Sequence, residues 1–421
     1  MSAETIDGLE KPDVASLNSA WPTISLGDVV ALVSDSVDPK SVSHLRYVGL
    51  EHIEPGTSRL SVWGAAGEVR SAKTRFRRGD ILYGKLRPYL DKAVLAEWEG
   101  FCSTDILVLR PTAAVSGDFI VNLLHTRSFI HHAVSTTAGV NHPRTSWSSL
   151  RESRLPIPPL ADQRAIAHVL RTVQRAIEAA EAVIAAAREL KRSLMQHLFT
   201  YGPVPVAEAG QVALKETEIG RVPEHWEVAR LGVVVDVVSG GTPDRSRPEY
   251  WHGGISWVKS GEIDYHRINA TVETISEQGL KNSSARLIPA GTLLMAMYGQ
   301  GITRGRVALL GIDAAINQAC AALIAGAMVS PGYLFFVLTY HYDRVRDLGH
   351  GANQKNLSAL LIKSVVVPLP PESEQQETVR ILSAVDQRIT AEHRRKQSLD
   401  TLFKSLLERL MTGALRVGSL P

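Results

Sequence analysis

The sequence predicts an α+β protein: two pseudo-repeated α/β domains separated by two long antiparallel coiled-coil helices. Three observations predict it. The 421-residue chain repeats itself at about half its length. Each copy opens with short β-rich runs broken by Gly/Pro turns. Each copy closes on a proline-led helix with an apolar seam.

The repeat is read from matched residues. Residues 155–163 are LPIPPLADQ and residues 367–375 are VPLPPESEQ, so Pro156, Pro158, Pro159 and Gln163 match Pro368, Pro370, Pro371 and Gln375. The same offset pairs Gly79 with Gly291, Gly139 with Gly351, Asn141 with Asn353, Leu170 with Leu382 and Leu198 with Leu410. Near the start of each copy the offset drifts by a few residues, matching Trp21 to Trp226 and Leu26-Gly27 to Leu231-Gly232. Solenoid repeats are much shorter, about 20–50 residues. A whole domain-plus-helix unit is therefore duplicated. The expected boundaries are 1–156 for the first domain, 157–202 for the first spacer helix, 203–225 for a linker, 226–368 for the second domain and 369–421 for the second helix and C-terminal tail.

Within each domain, runs such as GDILYG, DILVLRP, GTLLMAMYG and SVVVPLP read as strands between turns, with a helix ahead of a Gly-x-Asn loop. Residues 162–200 contain no Pro or Gly, and Ile166, Leu170, Val173, Ile177, Ala180, Ile184, Ala187, Leu194 and Leu198 form a 3–4 apolar repeat interrupted at Lys191. The second helix keeps Leu382, Val385, Ile389, Leu399, Phe403, Leu406 and Leu410 but has Thr378 opposite Ile166, and Glu392 and Lys396 in its middle. Gly202-Pro203 and Gly413 stop the two helices. At 1.5 Å per residue each helix is about 60 Å long. A helix with one apolar seam needs a partner, and the other copy supplies it. Antiparallel packing would give a rod with a domain at each end, a spacing device suited to duplex DNA with its own local two-folds.

Composition narrows the class. Hydrophobic residues make up 44% of the chain, enough for real cores, and the formal charge is only +3. The two cysteines, Cys102 and Cys320, form no C-x-x-C spacing, which argues against a disulfide framework or a cysteine zinc site. The polar start MSAETIDGLEKPD is no signal peptide, and the most apolar run is too short to span a bilayer. A cytoplasmic location without membrane partners is expected.

The paired proline-rich lead-ins, the junction KETEIGRVPEHWEVARLG (215–232), SGGTPDRSRPEYW (239–251) and GANQKNLS (351–358) together resemble the specificity subunits of type I restriction-modification systems. The match covers nearly the whole chain, although ADQ replaces the usual EQ in the first copy and the first domain lacks the ETEIG lead-in. The resemblance implies two target-recognition domains, each reading one half of a bipartite asymmetric site in double-stranded DNA. It implies helices that dock two methyltransferase subunits, which bind S-adenosylmethionine and methylate adenine N6. Restriction/motor subunits, with their ATP and Mg, complete the larger complex. The chain itself is expected to be non-catalytic and to carry no cofactor.

Catalytic motifs agree with that expectation. There is no N/D-P-P-[YFW] methyltransferase motif and no H-E-x-x-H. GDILYGK satisfies the skeleton of a P-loop, but Leu86 stands where Ser or Thr would bind magnesium.

Candidate DNA contacts fall in two kinds of loop. Eight basic residues lie within 70–92, against Asp80 and Asp91. Among them Arg75 and Arg78 suit phosphate neutralisation, and the turn YGKLRPY adds Lys85, Arg87 and Tyr89. The second copy offers Tyr298, Gln300, Arg304 and Arg306 in YGQGITRGR. The Gly-x-Asn loops offer Asn141, His142 and Arg144, and in the second copy Asn353, Gln354, Lys355 and Asn356. Asn and Gln pair bidentately with adenine, and Arg with guanine. Asn141 and Asn353 equally suit a plain turn. The competing readings are a DNA-reading subunit of another methylation-based defence system, a coiled-coil scaffold whose globular ends bind protein, and a stand-alone modification enzyme.

Overall fold

The computed structural model describes residues 21–299, 302–348 and 356–419. The chain divides into two compact units, one made of the residues through Glu181 together with those from Arg394 onward, the other of Ala182–His393. Both long helices, Leu160–Tyr201 and Glu372–Met411, contribute to both units.

The first unit holds two four-stranded sheets. One is antiparallel, in the order Val30–Val33, Ile106–Pro111, Ile81–Gly84, Ala93–Leu95. The other runs Ser36–Val37, Lys73–Phe76, Gly100–Cys102, Arg46–Val48, with its last pair parallel. GDILYG is thus an inner strand leading into a 3-10 turn, Pro88–Leu90, which is not the strand-loop-helix order of a phosphate loop. Helices Gly117–Leu124 and Arg127–Ser135 cover the first sheet through Phe119, Ile120, Leu123 and Phe129.

The second unit repeats the plan. A five-stranded sheet runs Val235–Ser239, Cys320–Ala325, Leu293–Ala296, Val307–Leu310, Arg267–Ile268. A four-stranded sheet runs Glu273–Ile275, Trp251–Val258, Ala314–Ile316, Leu287–Ile288. The stretch expected as a plain linker contains a 3-10 turn, Val206–Gln211, and a hairpin pairing Leu214–Thr217 with Gly220–Pro223.

The shared motif has a physical use. Gln163 is almost wholly buried; its Oε1 accepts from the Ser116 amide at 2.8 Å and its Nε2 donates to the Pro158 carbonyl at 2.8 Å. Gln375 does the same, accepting from the Ser330 amide at 3.0 Å and donating to the Pro370 carbonyl at 3.1 Å. The prolines end the strand, and the glutamine ties the start of the long helix to the cap of a domain helix. Buried backbone groups that would otherwise lack partners are satisfied.

The glycine stops are equally specific. Gly202 (φ 82°) and Gly413 (φ 74°) take the left-handed conformation usual after a helix C-terminus. A Cβ on Gly202 would come within 3.4 Å of the Trp226 ring, and one on Gly413 within 3.3 Å of the Trp21 ring. Each helix therefore ends against the tryptophan that opens a domain.

In each unit the helices run antiparallel. Lys191 pairs with Asp386 at 2.6 Å and Arg188 meets His393 at 3.0 Å in the second unit, so the numbering climbs in opposite directions. In the first unit Lys396 pairs with Glu181 at 2.9 Å, while the earlier Ile166 and Leu170 share a core with the later Leu407 and Leu410. The polar residues Lys191 and Lys396, which interrupt the apolar repeat, are thus explained by pairing between the helices. Glu392 is buried and bonded to Arg388 at 2.7 Å.

Candidate nucleic-acid interface

In the first unit the strand Ile81–Gly84 runs out into the turn at 85–91. The Lys85 amide donates to the Asp105 carbonyl at 2.9 Å, the Thr145 amide to the Lys85 carbonyl at 3.1 Å, and the Arg87 amide to the Pro143 carbonyl at 2.8 Å. The turn and the Gly-x-Asn loop are therefore one hydrogen-bonded body. Arg87 and Asp91 both sit at φ 51°, a left-handed conformation that costs a residue with a Cβ about 1–2 kcal/mol. Local bonds offset that cost: Asp91 pairs with His125 Nδ1 at 2.6 Å, and its carbonyl accepts from the Gly56 amide at 2.8 Å.

The Gly-x-Asn loop is a tight hairpin. Ala138 and Arg144 exchange two backbone hydrogen bonds, of 2.9 and 3.0 Å, and the tip exposes Asn141 and His142. Arg144 Nε donates to Asp105 at 2.9 Å, and this bond holds the guanidinium pKa above its ordinary value. Tyr89 and Arg87 are exposed, and Lys85 is half-buried.

The second unit builds the same joint with different side chains. The Met297 amide donates to the Ala319 carbonyl at 2.8 Å, and the Leu357 amide to the Met297 carbonyl at 2.9 Å. Tyr298 and Asn356 are exposed beside that joint. Arg306 bonds Asp264 at 2.6 Å and lies 5.6 Å from the centre of the Tyr265 ring. Arg304 is buried, donating to the Arg346 carbonyl at 3.2 Å, which gives it a structural contact in place of an exposed one. Gln300, Asn353, Gln354 and Lys355 lie outside the described residues.

The basic run at 70–92 separates into two groups. Lys73 is buried and bonds Ser71, and Lys92 donates to the Leu50 carbonyl at 2.7 Å, so both serve the fold. Arg78 is exposed, and Arg75 is half-buried with Glu99 at 3.3 Å. Asp80 is buried and receives two bonds of 2.7 Å from Arg110, so it does not discharge the surface arginines.

Sequence reasoning missed Asp105, Asp264 and Glu99, the carboxylates that orient candidate arginines. The thiols of Cys102 and Cys320 are pushed up to about 12, chiefly by burial, which makes them poor ligands and nucleophiles. Among the described residues no group of His, Cys, Asp and Glu could hold a metal ion, and no helix is long and apolar enough to cross a membrane.

Fold and loops define a class: a duplicated two-domain protein with a matched backbone joint in each copy. The family described as type I restriction modification DNA specificity domain matches residues 18–186 and again 223–401. The chain belongs to that family. The putative type I restriction enzyme MjaX specificity subunit of Methanocaldococcus jannaschii is 24% identical over 434 residues, spanning 98% of this chain and 97% of that protein. The MjaVIII specificity subunit of the same organism is 24% identical over 415 residues, 95% of this chain and 94% of that one. Among solved structures, the type I restriction-modification S subunit from M. genitalium matches with a TM-score of 0.62 at 15% identity, over 96% of this chain and 98% of that one. A chain from a structure of type I R-M complex assembly and conformational transition matches with a TM-score of 0.57 at 18% identity, over 95% and 99%. These structural likenesses bear on the fold.

Proposed function

We propose that the chain is the non-catalytic DNA-reading subunit of a type I restriction-modification complex, in which each domain reads one half of a bipartite asymmetric target. The observation that carries this reading is the loop joint built twice, Thr145 on Lys85 and Leu357 on Met297, with unlike side chains displayed around it. A common scaffold with different loops is what two readers of different half-sites require. The two helices set the half-site spacing, and their outward polar faces dock two methyltransferase subunits. Those partners carry S-adenosylmethionine and the adenine methylation. The restriction/motor subunits use ATP and Mg, and the assembly works in the cytoplasm on double-stranded DNA.

The test exchanges residues 226–368 for the matching domain of a relative and maps methylated adenines. One half of the methylated motif should change. A change in both halves, or in neither, overturns the two-reader assignment.

A further inference from the structure

We propose that Val140 is a specificity-determining residue of the first domain, contacting the C5-methyl group of a thymine in the half-site that domain reads. The inference rests on the function proposed above. Val140 stands at the tip of the 138–144 hairpin with 98% of its surface exposed. The base beneath it is braced three ways: by the paired Ala138 and Arg144 backbones, by Arg144 on Asp105 at 2.9 Å, and by the Arg87 amide on the Pro143 carbonyl at 2.8 Å. Valine is stiff about χ1, so a fixed backbone fixes its methyl groups. The tip is preorganised.

Single exposed apolar residues are common on protein surfaces. Val140 differs in its setting. It is flanked by Asn141 and His142, on a loop bonded to the turn that carries Lys85, Arg87 and Tyr89. Its polar neighbours match the donors and acceptors of base edges. The one apolar group that a base edge presents in the major groove is the thymine methyl. A nearly naked β-branched side chain among polar readers fits that group. Because so little of Val140 is packed, truncating it leaves the fold intact.

The experiment uses the full chain complexed with its methyltransferase subunits, and a duplex carrying the target mapped from genomic methylation. Each thymine of the first domain's half-site is replaced in turn by deoxyuridine, which lacks only the methyl. At one position the native complex should lose about fourfold in affinity, the order expected for one buried methyl group. Val140→Ala should lose a similar factor on thymine DNA and lose nothing more when that same position is deoxyuridine. The salt dependence should stay unchanged. An unaffected Val140→Ala complex overturns the inference. So does a loss that is equal on thymine and deoxyuridine DNA at every position, which would indicate a wedge between base steps. If the native complex does not distinguish target from scrambled duplex, the proposed function fails instead, whatever Val140 does.

Discussion

The Thr145 amide donates to the Lys85 carbonyl at 3.1 Å, and 212 residues on the Leu357 amide donates to the Met297 carbonyl at 2.9 Å. In the first copy the joint is reinforced by Asp105, whose carbonyl receives the Lys85 amide and whose carboxylate receives Arg144. Asp105→Asn removes the charge that orients Arg144. The pair lies at the surface, where ion pairs contribute little, so the fold should survive the change. Methylation of a randomised target library should show relaxed preference in the first domain's half-site only. Relaxation of both halves, or of neither, would exclude Asp105 as a positioning residue.

Phosphate contacts are separable by salt. Arg78 is exposed, whereas Arg75 already faces Glu99 at 3.3 Å. Each phosphate contact contributes about 0.9 to the slope of log affinity against log salt. Arg78→Ala should lower the slope by about that amount on all sequences alike, and Arg75→Ala by clearly less. Equal slopes for the two variants would refute the ranking.

The glutamine clamps make a stability prediction. Gln163→Leu strips partners from the Ser116 amide and the Pro158 carbonyl. Each buried group left without a partner costs about 1–3 kcal/mol. The loss should appear as a lower midpoint in denaturant unfolding. Thr378 has the opposite character: it is fully buried and its Oγ1 has no hydrogen-bond partner among the described residues. Thr378→Val keeps the shape, removes the hydroxyl, and should stabilise by about 1 kcal/mol. Destabilisation by that substitution would mean that the hydroxyl has a role.

The duplication, the strand at 81–84, the helix seams and the glycine stops were legible because they rest on spacing and on residues with few conformational options. The partners of the arginines were not legible. Asp105 lies 39 residues from Arg144, and Glu99 lies 24 from Arg75. Sheet pairing brings Arg75 to Glu99, the joint between loop and turn brings Arg144 to Asp105, and no local pattern announces either. Arg304 shows the converse error. Between glycines and after Thr303 it reads as an exposed loop arginine, yet helix Tyr342–Asp347 folds beside the loop, its Tyr342 hydroxyl donating to the Ile302 carbonyl at 2.5 Å, and Arg304 is buried. Lys191 and Lys396 broke the heptad on paper because their partners lie on the other helix.

His341 sets a pH dependence. Burial, and then the nearby Arg344 charge, lower its pKa to about 4. In the unfolded chain the ordinary value is about 6.5. As pH falls below about 6.5 the unfolded state takes up a proton that the fold refuses, so stability falls until the pH passes about 4. The full loss from this group is on the order of 3 kcal/mol. His341→Gln should flatten the stability profile between those limits. An unchanged profile would assign the acid sensitivity elsewhere.

The proposal that the helices set the half-site spacing is tested by length. Glu181 pairs with Lys396, and Lys191 with Asp386. Ten residues separate the two members on each helix, so the sequence spacing is equal on both. One heptad inserted after Ala187 and another after Ile389 fall between those pairs on both helices. Each pair keeps its partner, and the seam keeps its phase. Each insertion adds about 10 Å. The gain is counted once because the helices lie side by side. At about 3.4 Å per base pair it corresponds to roughly three base pairs. Three pairs also turn the second half-site by roughly 100° about the duplex, since one turn holds about 10 pairs. The supercoil will not follow that rotation fully. The variant should therefore methylate the original spacing hardly at all and targets lengthened by three pairs weakly. Single insertions, which set the ion pairs out of register, should destabilise the protein where the matched pair does not. A folded double-insertion variant that methylates the original spacing at normal efficiency would show that the distance between half-sites is set elsewhere.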